Sequence, residues 1–532
     1  MTRRADPPRQ GPPPRRHHRR LPVVAAVLTL VVAGLTACTR ADGPGAAPPA
    51  GSSRPGADDT TGLHWRPCPE IARQWSGEVR DDLRYDCATL DVPVDWAAGP
   101  AAGTLPLALL RARSTAQRDR IGALVVNPGG PGVSGVDAAA RLALGERSGG
   151  LPDAVMHRFD VVGFDPRGVA RSAGVDCGAD ADWDAVFGAD PDPHDDAAFA
   201  AAADVSRRIA ADCAARHGDR LAAFSTHQTA RDLDAVRAAV GDERLTYLGY
   251  SYGSLLGATY AHLFPDRVRA LVLDGAIDPQ QDPVAGSLGQ AAGFERAFDA
   301  FVRWCAATPA ACPISTDPAG TLDDAVDRAR TDPVTSVDGR STTPGWIFYA
   351  VVASLYDDSG WPRLARAVAA LRDGDPAPVF ALADGYTGRD ADGGYDNLFA
   401  ANLAINCADA EMPLPPTQIR ALQQQWRQEH PRFGPALAVG LLACAQWPTA
   451  ADPYPVGAAA GAPPILVIGT IGDPATPYEQ APRLAELLGS GVLVTWEGDG
   501  HTAYPHARCV AATVDAYLID LTVPADGLRC PA

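Results

Sequence analysis

The sequence predicts an α/β fold: a mostly parallel sheet covered by helices, with a large, mainly helical insertion ahead of the last two strands. Three observations predict it. Short apolar, β-branched runs alternate with amphipathic stretches on both sides of the chain's middle. One such run enters a helix through Gly249-Tyr250-Ser251-Tyr252-Gly253. From 279 to 459 the alternation gives way to alanine-rich, helix-like sequence broken by proline and glycine. An interruption of that length is no ordinary connection and reads as a cap domain between core segments at 61–278 and 460–532.

Residues 1–38 read as a targeting segment rather than as structure. Arginine and proline fill positions 3 to 20, an apolar run follows from Leu21 to Ala37, and Leu35-Thr36-Ala37 precedes Cys38. Small residues before a lone cysteine look like a bacterial lipobox, with Cys38 the lipidated residue; an uncleaved membrane anchor is the competing reading. Both put the rest of the chain outside the cytoplasmic membrane, lipid-anchored or secreted. Residues 39–60 are rich in proline, glycine and alanine and read as a flexible tether.

Charge and cysteine usage agree with export. The 532 residues carry 64 acidic against 46 basic side chains, a net charge of −18, and the basic ones are all arginine. Such a surface repels nucleic acid and anionic membranes, so the expected membrane contact is the lipid anchor alone. Of 11 cysteines, ten remain once Cys38 is set aside. An even number in an oxidising compartment reads as disulfides, and the absence of C-x-x-C disfavours zinc and redox motifs, so no metal or cofactor is expected. Ten cysteines allow about 945 pairings; pairing in chain order gives Cys68–Cys87, Cys177–Cys213, Cys305–Cys312, Cys407–Cys444 and Cys509–Cys530.

Strands are expected at 88–94, 105–111, 123–126, 159–164, 245–248, 270–273, 465–468 and 492–496, with helices at 226–240 and 510–519. Strand, G-x-S-x-G, helix is the context of a nucleophile elbow, which holds the Ser251 hydroxyl clear of the sheet at a helix N-terminus. A serine needs a base to take its proton, and the base needs an acid to fix its tautomer. The α/β-hydrolase fold places these partners after later strands in the order serine, acid, histidine. Asp473 follows the strand at 465–468 and His501 the strand at 492–496. Asp274, after the strand that follows the elbow, is an alternative acid, and His506 an alternative base. The oxyanion hole needs backbone N–H groups. Tyr252 supplies one, and Gly130 is the best donor in Asn127-Pro128-Gly129-Gly130-Pro131-Gly132, with Gly129 second, because proline has no N–H.

With these residues placed, the chain resembles the tripeptidyl aminopeptidase branch of secreted α/β-hydrolase serine peptidases, related to proline iminopeptidases. The matching pieces are NPGGPGVSG (127–135), FDVVGFDPRGVARS (159–172), ARDLDAVRAAVG (230–241), LGYSYGSLLGATYAHLFP (248–265), INCADA (405–410), GDPATP (472–477) and GDGH (498–501). The resemblance implies an exopeptidase that removes di- or tripeptides from free N-termini, with Ser251, Asp473 and His501 as the triad. It also asks for a carboxylate to hold the substrate's ammonium group, for which Asp409 and Glu411 are candidates. An esterase or small-amide hydrolase with the same triad is the alternative, and a surface lipoprotein without catalysis the remote one. The sequence leaves the oligomeric state unknown.

Overall fold

The middle of the sheet is made of strands buried along their whole length, as parallel strands covered on both faces must be. The computed structural model describes residues 63–76 and 80–532; the segment 1–38, with Cys38, and the stretch 39–60 lie outside them. Among the described residues one sheet contains β1 (Arg66–Pro67), β2 (Leu83–Pro93), β3 (Thr104–Ser114), β4 (Gly122–Asn127), β5 (Phe159–Phe164), β6 (Leu245–Tyr250), β7 (Val268–Asp274), β8 (Ile465–Gly472), β9 (Gly491–Asp499) and β10 (Leu528–Cys530). Their order is β1-β2-β3-β5-β4-β6-β7-β8-β9-β10. Pairing is antiparallel from β1 through β3 to β5, and parallel from β5 onward.

Alternate residues serve opposite faces, following the two-residue period of a strand. Val125, Val162, Tyr247 and Leu271 join one core with helices Thr226–Ala239 and Tyr252–Leu263. Leu124, Val161, Leu248 and Val272 join the other with helices Gly135–Leu142 and Arg508–Asp520. A fully buried ion pair, Arg167 with Asp232 (2.6 Å), is completed by Trp96 Nε1 donating to Asp232 Oδ1 (2.8 Å). It ties the DPRG turn after β5 to the helix before β6.

Between β7 and β8 the chain forms helices from Pro283–Ala307 to Leu442–Ala445, the region read as a cap. Two more helices, Asp180–Gly188 and Asp196–His217, lie between β5 and β6 and were not expected from sequence. The longer one is alanine-rich and gathers no single apolar stripe, so its period is faint. Phe187 packs on Phe399 (4.8 Å between centroids) and Tyr349 (5.1 Å), joining this pair to the cap. The ten described cysteines form Cys68–Cys87, Cys177–Cys213, Cys305–Cys312, Cys407–Cys444 and Cys509–Cys530. Among the described residues no helix is long and apolar enough to cross a membrane.

Candidate active site

β6 ends at Tyr250 and the next helix begins at Tyr252, so Ser251 alone makes the turn, with φ 54° and ψ −121°. That backbone region is sparsely populated for any residue with a Cβ and persists only where its surroundings hold it. Here Ser251 N donates to Asp274 O at the end of β7 (2.8 Å), and Ser254 Oγ donates to Ser251 O (2.6 Å). The crossing leaves no room for side chains: a Cβ on Gly249 would stand 2.2 Å from Gly253 O.

Asp473 and His501 lie past β8 and β9, at the same end of the sheet. Asp473 Oδ1 and Oδ2 are 2.9 and 3.0 Å from His501 Nδ1. The carboxylate is itself fixed by the Ala475 and Thr476 amides (2.9 and 2.8 Å, both to Oδ1) and by Thr476 Oγ1 donating to Oδ2 (2.9 Å). An ionised carboxylate only accepts, so it assigns the imidazole proton to Nδ1 and leaves the Nε2 lone pair for a second proton. Burial works against the imidazolium, but the Asp473 charge and hydrogen bond, with the Asp274 charge behind them, together outweigh it and raise His501 above the ordinary histidine value. From the cap, Tyr356 meets the imidazole edge-on (5.3 Å), and its carbonyl accepts the His501 N–H (2.7 Å).

The two alternatives occupy other roles. Asp274 accepts the amides of Ala503 (3.0 Å) and Tyr504 (2.7 Å), just beyond His501, and makes no hydrogen bond to the imidazole. Burial pushes its carboxyl up to about 6, even against those two donors. It anchors the loop that carries the histidine. His506 packs its ring on Trp496 (5.1 Å), where burial lowers its proton affinity.

The link from His501 to the elbow runs over Gly275: a Cβ there would lie 3.2 Å from His501 Cε1, and Gly275 O accepts from Ser254 Oγ (3.3 Å). Among the described residues no hydrogen bond joins Ser251 Oγ to His501. The hydroxyl turns about a single bond, and such catalytic contacts commonly tighten only when substrate arrives.

The glycine loop after β4 lies against the elbow. A Cβ on Gly129 (φ 91°) would meet Tyr250 O at 2.5 Å and Tyr252 N at 3.1 Å, so only glycine lets the loop come this close. Gly129 N donates to Asn127 Oδ1 (2.9 Å) and is thereby engaged. Asn402 of the cap braces this loop by donating to Pro131 O (3.0 Å).

Asp409 is buried and sits beneath Tyr252. Its Oδ1 accepts Thr226 N (2.6 Å) and its Oδ2 accepts Thr226 Oγ1 (2.7 Å), while Tyr252 Oη is 2.6 Å from the same Thr226 oxygen. Burial pushes the Asp409 carboxyl up to about 7. Glu411, two residues on, is exposed. Sequence reasoning missed Thr476, Tyr356, Asn402 and Thr226. Only Thr476 carried a signal, as part of GDPATP.

The chain matches the α/β-hydrolase fold family over residues 122–344 and the family described as TAP-like protein over residues 430–530. It is 37% identical over 492 residues to serine protease Hip1 of Mycobacterium tuberculosis, spanning 88% of this chain and 91% of that one. It is 39% identical over 510 residues to carboxylesterase B of the same organism, spanning 92% and 95%. Against tripeptidyl aminopeptidase of Streptomyces lividans it is 32% identical over 476 residues, spanning 88% and 86%.

Proposed function

Because this chain belongs to the TAP-like family of α/β-hydrolase serine peptidases, we propose that it is an exported aminopeptidase with Ser251, Asp473 and His501 as its triad, releasing di- or tripeptides from free N-termini. The observation that carries the reading is the paired contact of Asp473 with His501 Nδ1, at 2.9 and 3.0 Å, beside a serine in elbow conformation. Ser251 Oγ attacks the scissile carbonyl while His501 Nε2 takes its proton. The Tyr252 and Gly130 amides stabilise the oxyanion, a contribution of about 3–4 kcal/mol for one such donor. His501 then protonates the leaving amine, and water, activated by the same imidazole, releases the peptidyl group from Ser251. Five disulfides support an oxidising location.

Exopeptidase action needs a carboxylate for the substrate's ammonium group. Asp409 is committed to Thr226, which makes exposed Glu411 the candidate to test first. Chromogenic Ala-Ala-Pro-type peptides, free and N-acetylated, are the direct assay. The free peptide should turn over at least tenfold faster, and Glu411→Gln should raise its KM. Equal turnover of the two would rule out the aminopeptidase reading and leave the ester or endopeptidase chemistry of the same triad.

A further inference from the structure

A cavity of about 380 Å³ lies between the helix Asp196–His217 and the cap helices Pro344–Leu355, Leu398–Asp409 and Gly434–Gly440. Three of its wall residues also hold the catalytic groups. Tyr356 contacts His501, Asn402 donates to Pro131 of the oxyanion loop, and Gln290 Nε2 donates to Ala475 O (3.0 Å), two residues past Asp473. The cavity therefore backs directly onto the site.

Its chemistry is one-sided. Phe187, Phe348, Val352, Phe399, Leu403 and Leu437 supply much of the wall. Among the residues lining it only Asp190 is charged, and Asp190 is bound by Arg330 (2.8 Å). Asn402 is likewise engaged, donating to Pro131 and accepting from Asn406 Nδ2 (3.0 Å). An ammonium or carboxylate entering this space would shed its water and find no free counter-charge. An apolar group would gain the burial that drives most ligand pockets.

We propose that this cavity takes an uncharged, apolar group on the acyl side of the substrate: a large aliphatic or aromatic side chain when the substrate is a peptide. The proposal rests on Ser251 as nucleophile, and it places the ammonium of a free N-terminus outside the cavity.

The test measures acylation of the full chain by p-nitrophenyl esters of acetic, hexanoic, octanoic and 8-aminooctanoic acid, as kcat/KM ratios within each enzyme. Each buried methylene should raise kcat/KM about fourfold, and the terminal ammonium should make 8-aminooctanoate at least a hundredfold slower than octanoate. Leu403→Asp should lower the octanoate-to-acetate ratio at least tenfold and narrow the gap to 8-aminooctanoate. Leu437→Trp, which fills space without adding charge, should lower the octanoate-to-acetate ratio alone. No dependence on chain length, or ratios unchanged in both variants, would overturn the proposal. Ala-Ala-Phe and Ala-Ala-Asp anilides, free and N-acetylated, separate the two readings. Chain-length selectivity without preference for free N-termini removes the aminopeptidase and keeps the cavity; preference for free N-termini without chain-length selectivity does the reverse.

Discussion

Replacing Asp473 by asparagine separates the proposed acid of the triad from its neighbour Asp274. At position 473 the amide oxygen should occupy the Oδ1 site, where it accepts from Ala475 N and Thr476 N. The amide nitrogen then takes the Oδ2 site, 3.0 Å from His501 Nδ1. A donor there competes for the Nδ1 lone pair and favours the tautomer with its proton on Nε2, where no proton can be accepted from serine. Loss of charge adds to this, because the Asp473 carboxylate is the main group that opposes burial at His501. The expected fall in kcat/KM is about 10⁴-fold, or roughly 5.5 kcal/mol of transition-state stabilisation.

Asp274→Asn is the matched control. An amide oxygen at the Oδ2 site keeps the short contacts to Ala503 and Tyr504 and leaves the Asp473–His501 contact in place, removing only the smaller pull of the Asp274 charge on the imidazole. The expected loss is about tenfold or less, from replacing charge-assisted hydrogen bonds by neutral ones. The stability sign also differs. The folded-state pKa of Asp274 is raised from 3.8 to about 6, so the stability linked to its protonated form is lost as pH rises through about 6. Asp274→Asn abolishes that loss, and chemical denaturation at pH 5 and pH 8 should show it. The assay for both variants is kcat/KM across pH 5–9 with circular dichroism as a folding check. A larger loss in Asp274→Asn than in Asp473→Asn would refute the assignment of the acid.

Three further outcomes follow from the same geometry. The acid limb of kcat/KM should report His501, which must be neutral to act as base; its midpoint should lie above 6.5 in the wild type and move down in Asp473→Asn, where only the weaker Asp274 charge still opposes burial. Thr476→Val removes the 2.9 Å hydrogen bond to Asp473 Oδ2 and should cost about 1.5–3 kcal/mol of transition-state stabilisation, read as a fall in kcat with KM held. Cys407→Ala with Cys444→Ala opens a cross-link between positions 37 apart and should destabilise the fold by about 3–4 kcal/mol, measured by urea denaturation.

The sheet and the triad candidates were legible because each depends on local sequence. β4, β5 and β6 are unbroken buried runs, and each is followed at once by a turn residue: Pro128, Asp165 and Ser251. Asp473 was the acid the sequence favoured, but Asp274 stayed open as an alternative: both follow parallel strands at the same end of the sheet, and only side-chain direction separates an imidazole partner from a loop anchor. The same holds for Asp409, a candidate in the sequence for the substrate's ammonium group, which is buried against Thr226, 183 positions away. Tyr356 contributes through a backbone carbonyl, which has no sequence signature. The helix Asp196–His217 escaped notice because alanine fits a buried and an exposed face equally well.

The proposed mechanism requires Ser251 to be the one activated hydroxyl. Treating the full chain with a fluorophosphonate and mapping the adduct by tandem mass spectrometry tests this directly. A single adduct on Ser251 is expected, absent in Ser251→Ala and formed at least a hundredfold more slowly in His501→Ala. An adduct on another residue, or labelling that persists in Ser251→Ala, would contradict it.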